Sequence, residues 1–330
     1  MGGLMIATTF ARLSIASALA LGLVPLAEGP VFAPVEGSVV RREIRSLVEL
    51  SLETVSIEVD GEEQEIEQQG SLDYSNEELI VVVDTVGEVE DGRMLDFERE
   101  FVELTAEQAV RYTSPEGDTE GDSTDPFSPL EGRTILFTWY EDDESYEAEF
   151  GDDGEEDDVL LEGLLADLDF LAALPGEGAE EGDEWDLGEE VAGYFLWPGG
   201  RLQLLTEDEE LEPYLDRGEQ HRENLEAEGT ATLAELRETD GGPVWVIEFE
   251  LEAETYDEND DRESSLSFEL EGVLLWDADL NLAREWTLEG TMRVETVATF
   301  EVDFFGETRE VTETRVLEGT AEQTAQIEIE

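Results

Sequence analysis

Over residues 245–252, Trp245, Ile247, Phe249 and Leu251 alternate with Val246, Glu248, Glu250 and Glu252. Over 266–271, Leu266, Phe268 and Leu270 alternate with Ser267, Glu269 and Glu271. Over 286–295, Trp286, Leu288, Met292 and Val294 take one phase and Thr287, Glu289, Arg293 and Glu295 the other; Phe300, Val302 and Phe304 continue the apolar series. Successive side chains of a strand point to opposite faces, so each segment has one core face and one wet face rich in carboxylates. A sheet wet on one side is antiparallel, not the twice-covered parallel sheet of α/β folds. Asp60-Gly61, Asp91-Gly92 and Asp240-Gly241 lie between such runs and predict tight hairpins. Asp277-Ala278-Asp279 and Gly306-Glu307 are weaker turn signals. The runs are longer than the usual strand of about five or six residues. They predict a mainly β (α+β) protein built on a long curved antiparallel sheet or half-barrel. One strand changes phase: Val48, Leu50 and Leu52 are even-numbered, Val55, Ile57 and Val59 odd, and a bulge near Glu53-Thr54 reconciles them.

The period shifts to a helical one over 156–173, where Leu161, Leu164, Leu165, Leu168 and Leu171 share a face. Glu155, Glu156, Asp157 and Asp158 crowd its first turn, where the helix dipole favours negative charge, and Pro175 ends it. This predicts one central helix lying on the concave face of the sheet. It joins two strand-rich halves, 34–150 and 176–330, into one body spanning 34–330. A shorter helix from Thr206, with Thr206 and Glu209 as a capping box and Pro213 as its limit, is a weaker expectation. The run Val191 to Trp197, closed by Pro198-Gly199-Gly200, is apolar without alternation and reads as a buried strand or the lip of an apolar cavity. Loops rich in Gly, Asp and Pro occupy 114–132 and 176–188.

Residues 1–33 read as an export signal peptide or, alternatively, an uncleaved N-terminal anchor. Arg12 precedes the apolar stretch Leu13 to Ala27, and small-x-small sites occur at Ala18-Leu19-Ala20 and Val31-Phe32-Ala33, the second followed by Pro34. The expected location is therefore outside the cytoplasm: periplasm, cell envelope or extracellular medium.

Charge narrows the classes of partner. The chain has 90 Asp and Glu against 17 basic residues, all Arg, for a formal net charge of −73. At low salt such a surface repels itself; at about 1 M salt the Debye length falls to roughly 3 Å and most of the repulsion is screened. The pattern suits saline surroundings. Nucleic acid and anionic membrane surfaces, both bound through Lys and Arg, are poor partners. With hydrophobic residues at 40%, the chain nonetheless carries enough apolar mass to fold, unlike charge-driven disordered chains. The absence of Cys excludes disulfides, thiolate chemistry and attachment through a lipobox cysteine.

Few residues bear recognisable chemistry. Asp257, Asn259 and Asp261 have the spacing that opens a calcium loop, but Arg262 stands at its sixth position and Phe268 at its twelfth, so the weak Ca²⁺ reading yields to a solvated hairpin tip. The acidic runs 151–158 and 118–122 have the same standing. His221, the lone histidine, has no second His or Cys for a zinc site and no G-x-S-x-G elbow beside it, and reads as a surface residue. No cofactor and no catalytic residue are assigned.

Leu174-Pro175, followed by Gly182-Asp183-Glu184-Trp185, resembles the "LP…GDxW" segment of secreted bacterial β-proteins of unknown function. The stretches Gly229 to Glu252 and Leu270 to Val294 are similar to the paired strands that follow it in those proteins. The general arrangement also resembles lipoprotein-carrier-like half-barrels. That second resemblance implies a curved sheet around a helix and an apolar cavity that binds acyl chains. The leading expectation is therefore non-enzymatic binding of an apolar or lipid-like ligand. The cavity would be lined by Trp245, Ile247, Phe249, Phe268 and Trp286 and incompletely filled by Leu161, Leu164 and Leu168. The alternatives are a structural or protein-interaction module of the cell envelope and a hydrolase using two carboxylates.

Overall fold

A computed structural model of the chain describes residues 29–65, 70–90, 92–151, 157–176, 178–206, 219–259, 262–304 and 307–329. The strands are β1 (Val39–Val59), β2 (Glu62–Gln64), β3 (Ser71–Val86), β4 (Val89–Glu90), β5 (Arg93–Met94), β6 (Asp96–Thr113), β7 (Thr119–Thr124), β8 (Thr134–Tyr140) and β9 (Ser145–Phe150) in the first half. The second half holds β10 (Glu184–Leu187), β11 (Glu226–Thr239), β12 (Gly242–Asn259), β13 (Arg262–Asp277), β14 (Leu282–Phe304) and β15 (Glu307–Ile329). All but the β4–β5 hairpin belong to one antiparallel sheet in the order β10-β11-β12-β13-β14-β15-β1-β3-β6-β8-β9, with β2 on β1 and β7 on β6. The ends of this path, β10 and β9, do not pair with each other, so the sheet is not a closed barrel. The two halves meet through β1 and β15 at its middle, in register from Val40↔Ile329 to Val59↔Val311.

The alternation places the side chains as expected. Leu233, Ile247, Leu274, Trp286, Ala325, Ile44, Ile80 and Leu104 form one row across eight neighbouring strands on the inner face. All eight are almost fully buried. The expected bulge is present: the β1–β15 register slips between Leu52 and Thr54, which puts Leu50, Leu52, Val55 and Ile57 on the same face. Asp60 (φ 54°) and Gly61 (φ 77°) both adopt the left-handed conformation of a type I′ hairpin turn.

The helical expectations fare differently. Residues 157–173 do not form one helix but two 3₁₀ turns, Asp158–Leu161 and Leu171–Ala173, joined by irregular chain. Gly163, at φ 73°, interrupts the leucine stripe. Asp167 then binds the backbone instead of extending a helix, its Oδ1 accepting from Asp169 N at 2.7 Å and its Oδ2 from Leu171 N at 3.0 Å. The run read as a buried strand is helix α1 (Glu189–Leu196), whose Val191, Ala192 and Phe195 bury one face; Glu189 and Glu190 suit its N-terminus, and Pro198 follows its end. The helix expected from Thr206 falls mostly outside the described residues; α2 (Glu219–Glu223) follows that gap. Residues 29–33, counted above with the leader, pack on the body: Phe32 lies 6.4 Å from the Trp276 ring and Ala33 N donates to Asn281 O at 3.2 Å. No described helix is long and apolar enough to cross a membrane.

Candidate functional site

Two limbs, 157–174 and 189–206, lie over the inner face of the sheet and together form a strap. Its two limbs pair where Leu165 N donates to Gly199 O and Arg201 N to Gly163 O, both at 2.9 Å. Gly200, at φ 84°, has no room for a side chain, since a Cβ would run into Gly163 O. The strap brings aromatic rings onto the sheet. Phe170 lies 5.5 Å from Trp286 and 5.8 Å from both Phe249 and Tyr194, and Phe195 lies 5.4 Å from Phe268. Phe170 is held at φ 59°, a left-handed conformation costly for a side chain of this size.

The structure brings all five inward candidates together. Trp245, Ile247, Phe249, Phe268 and Trp286 are buried, with at most 6% of their surface exposed. What lies against them is chiefly Phe170 and Phe195 rather than a leucine helix. Leu168 is buried in the strap, while Leu161 and Leu164 are half-buried at its margin.

Beneath the strap lies a charge network absent from the sequence reading. Arg42, Asp84, Arg99 and Asp169 are each no more than 2% exposed. Asp84 accepts from Arg42 Nη1 at 2.7 Å and from Arg99 Nε and Nη2 at 2.8 Å. Asp169 takes Arg42 Nε and Nη2 at 2.8 and 2.6 Å, a bidentate pair that ties strap to sheet. Arg99 completes its fork on the strap carbonyls of Leu165 (2.9 Å) and Ala166 (2.8 Å). Burial alone would lower the Arg42 pKa, but Asp169 and Asp84 outweigh it and raise it. Burial pushes the neighbouring Asp167 up to about 6, assisted by the charge of Asp169 and opposed by its hydrogen bonds from Asp169 N, Tyr194 and Leu171 N. A signal for the network was present in the sequence. Arg42 falls in phase with Val40 and Ile44, Asp84 with Val82 and Val86, and Arg99 with Phe97 and Phe101. Each is a charge at an apolar position of its strand.

Beyond the strap the inner face continues without described cover. Leu52, Val55, Ile57, Val294 and Leu317 are half-buried, and Val110 and Phe300 are 42% and 44% exposed. At the boundary the face turns polar. Gln323, Ser46 and Glu78 are consecutive cross-strand neighbours. Gln323 is fully engaged, accepting from Trp286 Nε1 and donating to Ser46 Oγ and to Phe195 O of α1. Glu78 is half-buried, and its Oε1 accepts from Asn76 Nδ2 at 2.8 Å. Burial pushes the Glu78 carboxyl up, and Tyr74, also raised by burial, feels its charge. Asn76 Oδ1 is buried with no hydrogen-bond partner.

The outer face is a field of carboxylates. Glu250, Glu271, Glu289 and Glu322 stand directly opposite one another across β12, β13, β14 and β15, all exposed. A trough of about 920 Å³ crosses the same strands, with Glu226, Glu252, Glu269 and Glu318 among its walls. Arg293 at its rim pairs with Glu318 at 2.6 Å and Glu295 at 2.7 Å. Among the described residues no acidic or histidine cluster has the geometry of a metal site. Asp257 pairs with Ser264 and Asn259 with Arg262 on the β12–β13 hairpin, and Asp261 lies outside the described residues. His221 is half-buried rather than fully exposed. Its carbonyl accepts from Thr255 Oγ1, which ties α2 to β12, and burial lowers its pKa.

A scan against known protein families finds no match, and neither does a search of curated proteins. Among solved structures, the chain aligns with the toluene transporter TodX of P. putida over 90% of its own length and 92% of that chain, at 7% identity and a TM-score of 0.09. So low a score carries no argument about fold or activity.

Proposed function

We propose that this is an exported, salt-adapted binding protein without catalytic chemistry. It holds an apolar or lipid-like ligand on the inner face of its sheet, in the manner of the carrier-like half-barrels that its sequence resembles. The observation that carries this reading is the run of half-exposed apolar side chains from Leu52 through Ile57 on β1, flanked by Val294 and Leu317, where the face continues past the strap. An amphiphilic chain laid along these rows would remove apolar surface from water at about 25 cal/mol per Å². The aromatic centre around Trp286 is already occupied by the strap's own rings, so the ligand lies beside it. Asp167, a carboxyl pushed upward by burial, does not support the hydrolase reading, because both its oxygens are held by backbone N–H groups.

The test is native mass spectrometry of protein purified from its own host, compared with the denatured mass. A lipid-sized increment lost on denaturation is the expected result. A bare mass refutes the carrier reading and leaves the envelope-interaction module, to be pursued by cross-linking.

A further inference from the structure

We propose that Glu78 and Asn76 form a head-group site on the inner face, specific for an amphiphile with an N–H-bearing cationic head, such as a primary alkylammonium, and a single apolar chain. This rests on the ligand-binding reading above and adds the chemistry of the ligand.

At the strap margin the polar groups are unequally satisfied. Gln323, nearest on the strap side, has both its oxygen and its nitrogen engaged. What remains open is acceptor capacity. Glu78 has one described hydrogen bond, from Asn76. Asn76, having turned its amide nitrogen to that carboxylate, buries an oxygen with no partner. Buried polar groups in native proteins are almost always satisfied, so an orphan acceptor beside a half-desolvated carboxylate marks a place for a donor. The contrast with Asp84 is instructive. That buried carboxylate has two arginines, whereas among the described residues no arginine pairs with Glu78. The missing cation is therefore assigned to the ligand. An ammonium head can give one N–H to Glu78 and another to Asn76 Oδ1; an anionic head would be repelled by the Glu78 carboxylate, and a quaternary head has no N–H to give. The net charge of −73 also draws cations toward the molecule. From Asn76 the face runs through Tyr74 and Leu50 to Leu52 and Val55, the apolar track for the chain.

The test is calorimetric titration of the full chain with decylammonium, decyltrimethylammonium and decanoate, each below its micelle concentration, and with decanol below its solubility limit. It is run in 2 M salt, so that loose binding to the outer carboxylates is screened. Decylammonium is expected to bind at least tenfold tighter than each of the other three. Glu78→Gln is expected to lower decylammonium affinity at least tenfold and to leave decanol unchanged. Equal binding of ammonium and alcohol, stronger binding of decanoate, or a Glu78→Gln variant that binds decylammonium as before overturns the head-group site while leaving the apolar-ligand reading intact. Absence of binding by all four overturns both.

Discussion

Replacing Asp84 by Asn keeps the shape of the side chain and removes one charge from beneath the strap. In the native protein two guanidinium groups face two carboxylates, and Asp84 accepts three of their hydrogen bonds. After the substitution Arg42 keeps Asp169, but Arg99 has only neutral acceptors, the carbonyls of Leu165 and Ala166 and the new amide oxygen, and a positive charge is left buried without a counterion. Breaking a buried ion pair by removing one partner costs about 3–5 kcal/mol. Of the three hydrogen bonds at most two survive on the single amide oxygen, and the new amide N–H₂ faces guanidinium N–H groups, so we expect a loss near ~4 kcal/mol. The assay is urea unfolding followed by tryptophan fluorescence, since Trp276 and Trp286 are both buried. It is run at 0.2 M and at 2 M salt. Ions cannot reach groups this deeply buried, so the loss is expected to be equal at both concentrations, while the stability of the unaltered protein rises with salt as its outer surface is screened. A loss below about 1 kcal/mol, or one that disappears at 2 M salt, would refute the view that the network is a buried latch.

Three further outcomes are expected. Because Phe170 is held at φ 59°, Phe170→Ala loses ring packing of the order of 3–5 kcal/mol and keeps the backbone strain, whereas Phe170→Gly relieves it; glycine should therefore be the better replacement by about 1 kcal/mol in urea unfolding, and a worse glycine would contradict the strained backbone. The Asp167 carboxyl is raised to about 6 by burial, so the folded state binds more protons than the unfolded chain between roughly pH 4 and 6, and this group's contribution is favourable on the acid side and lost as pH rises through 6. Relative to Asp167→Asn, the unaltered protein should lose about 2 kcal/mol between pH 4 and pH 7, and a difference independent of pH would contradict the assignment. Glu271 stands between Glu250 and Glu289 in the outer row, so Glu271→Gln should stabilise the fold at low salt by a few tenths of a kcal/mol for each of the two repulsions relieved, read as a raised thermal midpoint, and have no effect at 2 M salt; a lowered midpoint would show that the row is not repulsive.

The sheet was legible because period two is imposed by strand geometry on every residue, and one wet face makes it visible. The phase change at Glu53 and the Asp60-Gly61 turn were legible for the same local reason. The strap was not. Its leucine spacing satisfies a helix, yet Gly163 breaks the run, Asp167 binds backbone N–H groups, and Asp169 is held by an arginine more than a hundred residues away. Tertiary contacts of that kind override local propensity, and spacing alone does not record them. The margin site was hidden for a different reason. Among so many carboxylates Glu78 is inconspicuous, and only its phase with Ile80 and Val82 separates it from the solvated ones.

The pairing of β1 with β15 also governs assembly. Val40 lies beside Ile329, so the central seam of the sheet joins segments from opposite ends of the sequence, while most other seams join near neighbours. Each half can zip as a local meander, but the two cannot fuse until β15 has been synthesised, and contacts this remote in sequence slow folding through their loop-closure cost. Under the export proposed above that delay is useful, because the complete sheet cannot form ahead of transport. A circular permutant that links β15 directly to β1 through a short turn would turn the seam into one more hairpin. It should fold faster than the natural order in stopped-flow refolding.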